Sequence, residues 1–235
     1  MEEKELKTSV KQRIIIGAIA VIMVGSFIAS YAAIVISGGK SGSGATSGIS
    51  EEKKAAYEAV YQEKLSEFKA LTKGDFDKFV AYKDEIKAYN ETSANTSGVQ
   101  TKDLLIGSGR TLEEGDTDYL AYYIGWCADE SVFDSSFDDD KNPTSFKMAL
   151  EASQGLIEGW RVGVEGMKLG GIRRITIPGE LAYGDAREIC GGYGKPLRFI
   201  VMAVANEDPL KAAATALESA YMKYQYAQYG IDLGE

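Results

Sequence analysis

Apolar and polar positions change rhythm several times along the chain. Ile14 to Ile36, IIIGAIAVIMVGSFIASYAAIVI, carries no charged side chain. A hydrocarbon core about 30 Å thick takes about 20 helical residues, so this run predicts a transmembrane anchor. A cleaved signal peptide is the rival reading, with Ser30-Tyr31-Ala32 as its cleavage site, but the apolar run continues beyond that site. Ser37 to Ile49 follows as a Gly/Ser linker. From Ser50 to Asn90 the spacing becomes helical. Tyr57, Tyr61, Leu65, Phe68 and Leu71 recur at three or four, and Lys73-Gly74 predicts a break. Asp75 is then placed to cap a second helix with Phe76, Phe79, Ile86 and Tyr89 on one face, and Glu91 to Gly98 reads as a loop.

The middle of the chain has a shorter period. TDYLAYYIGW (Thr117 to Trp126), IRRITIP and LRFIVMAVA read as strands bounded by Gly and Pro. Leu156, Ile157, Trp160, Val164 and Met167 supply one short helical pattern between the first two. Several strands with a single helix describe an α+β domain. Near the end, Asp208 is a candidate N-cap with Pro209 at the first helical position, and Leu210, Ala213, Leu217, Tyr221 and Tyr224 line one face. The flanking stripes predict packing on each other or on the central domain; a homodimer contact or a client cradle is the sharper alternative.

Composition narrows the chemistry. The chain has 235 residues, no His and a net charge of −9. Without His, Ser-His-Asp and Cys-His catalysis and His-ligated zinc are excluded. Two Cys are too few for a thiolate metal site, so no metal or cofactor is expected. The acidic balance, with no basic stripe, argues against nucleic acid as a partner. Asp138-Asp139-Asp140 lacks the spacing of a calcium loop and reads as a solvated turn. Asn90-Glu91-Thr92 and Asn95-Thr96-Ser97 fit the N-glycosylation pattern. Lys4, Lys7, Lys11 and Arg13 precede the apolar run, whereas Lys40 stands alone among the twelve residues after it. The positive-inside rule therefore keeps the N-terminus, 1–13, in the cytoplasm and sends the rest of a single-pass chain outside.

Five ordered blocks carry a resemblance: YYIG (Tyr122 to Gly125), VFDSS (Val132 to Ser136), GLIEGWRVGVEGMKLGGIRRITIP (Gly155 to Pro178), LAYG (Leu181 to Gly184) and LRFIV (Leu197 to Val201). Together, over about 98–206, the chain resembles the FKBP-type peptidyl-prolyl cis-trans isomerases. The resemblance implies a five- or six-stranded antiparallel sheet wrapped around one short helix, flanked here by a helical segment at 50–97 and a C-terminal helix at 207–235. It implies proline-containing polypeptides as clients and isomerisation of the peptide bond before proline as the activity. Carried over, Asp134, Tyr183 and Ile157 are the catalytic positions, the last through its backbone N–H. Tyr123, Phe133, Phe146, Leu156, Trp160 and Phe199 are the substrate-binding walls and floor. An altered rim loop, DAREICGGYGKP, keeps open a tethered binding or chaperone module of weak turnover, and the absence of an Arg after FDSS bears on substrate preference. In the family fold Cys127 follows the strand bearing Tyr123 and Cys190 lies in the loop after Tyr183; a bridge between them and two free thiols are both compatible with that placement.

Overall fold

The structure, a computed structural model, describes residues 49–96 and 98–234. The expected anchor, its cytoplasmic tail and nearly all of the linker lie outside these residues. Among the described residues no helix is long and apolar enough to cross a membrane.

A long helix α1 (Glu51–Val80) opens the described chain. Ser50 caps it by accepting from Lys53 N at 3.2 Å. The break expected at Lys73-Gly74 is absent, and α1 runs through both residues. A mid-helix Gly costs about 1 kcal/mol, less than is gained by burying Phe68, Thr72, Phe76 and Phe79 along one face. That face also corrects the predicted stripe, because Leu71 remains 49 % exposed. After α1 the chain makes one 3-10 turn, Lys83–Glu85, and Ile86 and Tyr89 lie beyond any helix. The expected loop after them instead forms a short helix α2 (Glu91–Thr96). Asn90 caps it, its Oδ1 accepting from Ser93 N at 2.9 Å.

The strands are β1 (Gln100–Leu105), β2 (Tyr119–Trp126), β3 (Val132–Ser135), β4 (Leu150–Glu151), β5 (Ile172–Ile177) and β6 (Leu197–Ala205). They form one antiparallel sheet in the order β1-β5-β6-β2-β3, with β4 paired to β2. Helix α3 (Glu158–Val164) packs on one face. Gly159 and Gly163 make the approach close: a Cβ there would lie 2.2 Å from Ile177 Cγ2 and 2.4 Å from Ile175 Cγ2.

The other face is also covered, which explains why all eight residues of β2 are buried. Successive strand side chains alternate between faces. Tyr119 and Tyr123 meet Trp160 of α3. Leu120, Tyr122, Ile124 and Trp126 join a second core with Phe68, Phe76, Phe79 and Leu217. Leu217 belongs to α4 (Leu210–Gln228), which lies against α1 through Tyr61 and Tyr224, stacked with ring centroids 5.3 Å apart. The apolar stripes of the flanking helices are thus packed within the chain, on each other and on the sheet. At the start of α4 the cap position is Pro209, without a side-chain bond, and Asp208 does not cap it as expected.

Candidate active site

Strand β2 places Tyr123 beneath the aromatic face of α3. Its ring meets Trp160 edge-to-face at 5.6 Å and Phe199 of β6 at 6.4 Å. Trp160 and Phe199 are themselves edge-to-face at 5.3 Å, and Phe133 of β3 meets Phe199 at 5.5 Å. Such tilted pairs set the positive ring edge against the negative ring face. Gly125, paired with both Asp134 and Phe199 in the sheet, makes room for them. A Cβ there would lie 2.6 Å from Phe133 Cζ and 2.7 Å from Phe199 Cε1. The buried floor comprises Trp160, Tyr123 and Phe199, while Phe133, Asp134, Ile157 and Tyr183 are partly exposed around it.

Polar contacts hold this cluster. Tyr123 Oη donates to Asp134 Oδ2 at 2.7 Å, and Trp160 Nε1 donates to Tyr119 Oη at 3.1 Å. Each serine of the FDSS block has a task. Ser136 Oγ accepts from Tyr123 N at 3.1 Å, and Ser136 N donates to Tyr123 O at 2.8 Å. Ser135 Oγ accepts from Phe137 N and donates to Asp140. Burial pushes Asp134 up to about 7, against the downward pulls of the Tyr123 hydroxyl and the Lys147 charge. Burial likewise raises the Tyr123 phenol well above its ordinary value, with Asp134 adding to the rise. Tyr183 is raised by burial, and the Arg187 guanidinium, 4.8 Å from its ring centroid, opposes that rise.

Ile157 is the N-cap residue of α3 with an extended backbone, ψ 148°, so its N–H stands outside the helical ladder. Leu156 precedes it, 8 % exposed. Tyr123, Phe133, Asp134, Trp160 and Phe199 thus come together in one cluster. Phe146 does not. It lies on the opposite face of the sheet, fully buried, stacked on Tyr122 at 4.0 Å and edge-on to Phe76 and Phe79 at 5.4 and 5.7 Å. The next residue, Lys147, reaches the Asp134 side instead; its N donates to Ser136 O at 2.8 Å and its charge acts on Asp134. No ion pair joins Lys147 to Asp134 among the described residues, so this later lysine acts on Asp134 only through its charge at a distance.

Cys127 and Cys190 form a disulfide with Cα atoms 5.4 Å apart. It ties the end of β2 to the loop that follows Tyr183. Asp138 is a loop hub rather than a solvated carboxylate. Thr144 and Ser145 each donate to it through N and Oγ, and these bonds outweigh burial and hold it below the usual carboxylate range. A shallow depression bounded by Lys69, Lys73, Phe76, Thr144 and Ser145 lies on this side, away from the aromatic cluster. Both its lysines face carboxylates, Lys69 near Asp138 at 3.5 Å and Lys73 on Asp77 at 2.7 Å.

The model of the FKBP-type peptidyl-prolyl cis-trans isomerases matches residues 109–203. These residues form an FKBP-type isomerase domain. The chain is 41 % identical over 88 residues to FK506-binding protein 4 of Dictyostelium discoideum, covering 37 % of this chain and 22 % of that protein. It is 44 % identical over 89 residues to FK506-binding protein 4 of Gibberella zeae, covering 37 % and 17 %. The crystal structure of AtFKBP13 aligns at 29 % identity with a TM-score of 0.36, over 47 % of this chain and 94 % of its own. The chain thus spans about a fifth of the length of the curated relatives it matches. All of α1 and all of α4 lie outside residues 109–203.

Proposed function

We propose that the FKBP domain isomerises X–Pro peptide bonds in polypeptide clients. The convergence of Tyr123, Asp134, Trp160 and Phe199 on one cluster beneath Tyr183 and Ile157 carries this reading. An X–Pro amide isomerises in tens of seconds because rotation breaks its resonance. The planar amide is the more polar state, so an aromatic surface that replaces its hydration favours the twisted one. Trp160 and Phe199 supply that surface, and Phe133 with Leu156 walls it. The Ile157 N–H and the Tyr183 hydroxyl donate to client carbonyls and hold one side of the bond while the other turns. Tyr123 fixes Asp134 at the wall. A gain of a thousand- to ten-thousandfold needs about 4–5.5 kcal/mol, within reach of such contacts without nucleophile, metal or cofactor.

The cellular setting extends the proposal. The uncharged run Ile14 to Ile36 anchors the chain as a single pass, with the cationic side in the cytoplasm and the domain outside, so the clients are extracytoplasmic proteins. The Cys127–Cys190 disulfide supports this side of the membrane, because such bonds persist in oxidising compartments. Protease added to sealed inverted vesicles should leave the domain intact; digestion there overturns the orientation.

The activity is tested by a protease-free proline-isomerisation assay on residues 50–235. A lower kcat/KM in Tyr183→Phe, in a protein that stays folded, is the expected result. The absence of turnover in the parent overturns the reading. Phe146, turned away from the aromatic cluster, favours the second reading, a binding or chaperone module: such a protein would retain proline peptides without speeding their isomerisation.

A further inference from the structure

Tyr183 sits in a loop whose two ends meet in a narrow neck. Gly179 and Gly194 touch there through their backbones: a Cβ on Gly179 would lie 2.0 Å from Gly194 O. Gly184 N donates to Gly179 O at 2.8 Å, and Gly194 N donates to Gly184 O at 2.8 Å. One side chain from outside the matched domain spans this neck. Asn95 Oδ1 accepts from Gly179 N at 2.8 Å, and its Nδ2 donates to Gly194 O at 3.4 Å. Its neighbours secure the same segment. Glu91 pairs with Lys195 at 2.8 Å, and Tyr89 Oη reaches Pro196 O at 2.8 Å. Ala94 is buried at 2 % exposure.

We propose that Asn95 is a positioning residue of the site, acting through the neck of the loop to hold Tyr183 in register with Asp134. This rests on the reading of Tyr183 as a client-binding hydroxyl. A helix of six residues is not stable alone, so the geometry of α2 is set by what it clasps. The left-handed residues of the loop, Gly184, Cys190, Gly191 and Gly194, give it freedom that its own hydrogen bonds do not remove. The Asn95 clasp closes the neck on one side, and the disulfide fixes the far end to β2. Residues 89–96 therefore belong to the isomerase site, although they precede the matched domain.

Asn95→Ala and Asn95→Asp in the full chain test this. Ala is the better helix former, so α2 survives and the clasp is lost. Tyr183 contacts the client in the planar and twisted states alike, so loosening it should raise KM with kcat nearly unchanged. The expected result is a rise of about three- to tenfold in KM for Asn95→Ala, with kcat within about twofold. Asn95→Asp keeps the acceptor for Gly179 N–H but sets a carboxylate oxygen against Gly194 O, so its KM should fall between those of the parent and Asn95→Ala. A fall in kcat at constant KM with a lower Tm would make Asn95 merely structural and overturn the proposal. Amide exchange gives a readout independent of turnover. Asn95→Ala should speed exchange at Gly179 and Gly184, and unchanged protection there overturns the proposal. An inactive parent would instead remove the isomerase reading while leaving the exchange result to decide the clasp.

Discussion

Tyr123 donates its hydroxyl to Asp134 across adjacent strands, at 2.7 Å, within a setting that would otherwise leave the carboxylate poorly solvated. The bond favours the ionised form, yet burial still lifts Asp134 to about 7. An unfolded Asp titrates near ~3.9. Between these values the folded state holds a proton that the unfolded state has released. Stability contributed by that proton is therefore complete below about pH 4 and lost as pH rises through 7. Its ceiling is about 4 kcal/mol, reduced by water at the exposed edge. Thermal unfolding at pH 5 and pH 8 should show a larger fall for the parent than for Asp134→Asn. Equal falls would mean that Asp134 ionises as an ordinary surface group.

The disulfide closes a loop with a sequence separation of 63. In the chain-entropy model that is worth roughly 4 kcal/mol. Reduction should lower Tm by about 10 °C, using the scaling for domains of this size. It should also increase proteolysis within 183–195, where Tyr193 is 59 % exposed. An unchanged Tm on reduction, checked by thiol alkylation, would show that the bond carries no stability.

The sequence pattern located the elements that make the site because their chemistry is local. LRFIVMAVA is β6 over Leu197–Ala205, and IRRITI is β5. Trp160 and Tyr123 fell into place from block order. Phe146 and Lys147 show where this reading ends. A shift of one residue reverses which face a strand-like segment presents, and nothing in SFKMAL distinguishes the two registers. A loop tied by Asp138 sets the register, and helix α1 supplies the second aromatic layer that receives Phe146. Both are long-range effects. Gly74 teaches the same lesson, since its local cost is overridden by Phe76 and Phe79 packing against that layer. Asn95 was visible only as part of a glycosylation pattern, because its partners, Gly179 and Gly194, lie more than eighty residues away.

The second core also makes the flanking helices part of the folding unit. Phe68, Phe76, Phe79 and Leu217 cover Tyr122, Trp126, Phe137 and Phe146. Burying four such side chains contributes roughly 6–12 kcal/mol, comparable to the whole stability of a domain, about 5–15 kcal/mol. Residues 98–206 alone should bind a hydrophobic dye and unfold without a sharp transition, whereas 50–235 should unfold cooperatively. A cooperative, dye-free 98–206 would show that the sheet tolerates an open back face.

Two tyrosines of β2 should respond in opposite directions to the same chemical change. Tyr122 points to the helical layer, where its ring stacks on Phe146 and its buried hydroxyl has no hydrogen-bond partner among the described residues. Burying an unpaired hydroxyl costs about 1–3 kcal/mol. Tyr122→Phe removes that group while keeping the ring, and should raise Tm by a few degrees. Tyr119 points to α3, where its hydroxyl accepts the Trp160 indole N–H. Tyr119→Phe leaves that buried donor unsatisfied, at a cost of about 1–3 kcal/mol, and should lower Tm by a comparable amount. The pair differs only in which side of the strand loses an oxygen. A fall in Tm for Tyr122→Phe as well would show that its hydroxyl is hydrogen-bonded in solution, and would place a polar partner inside the second core.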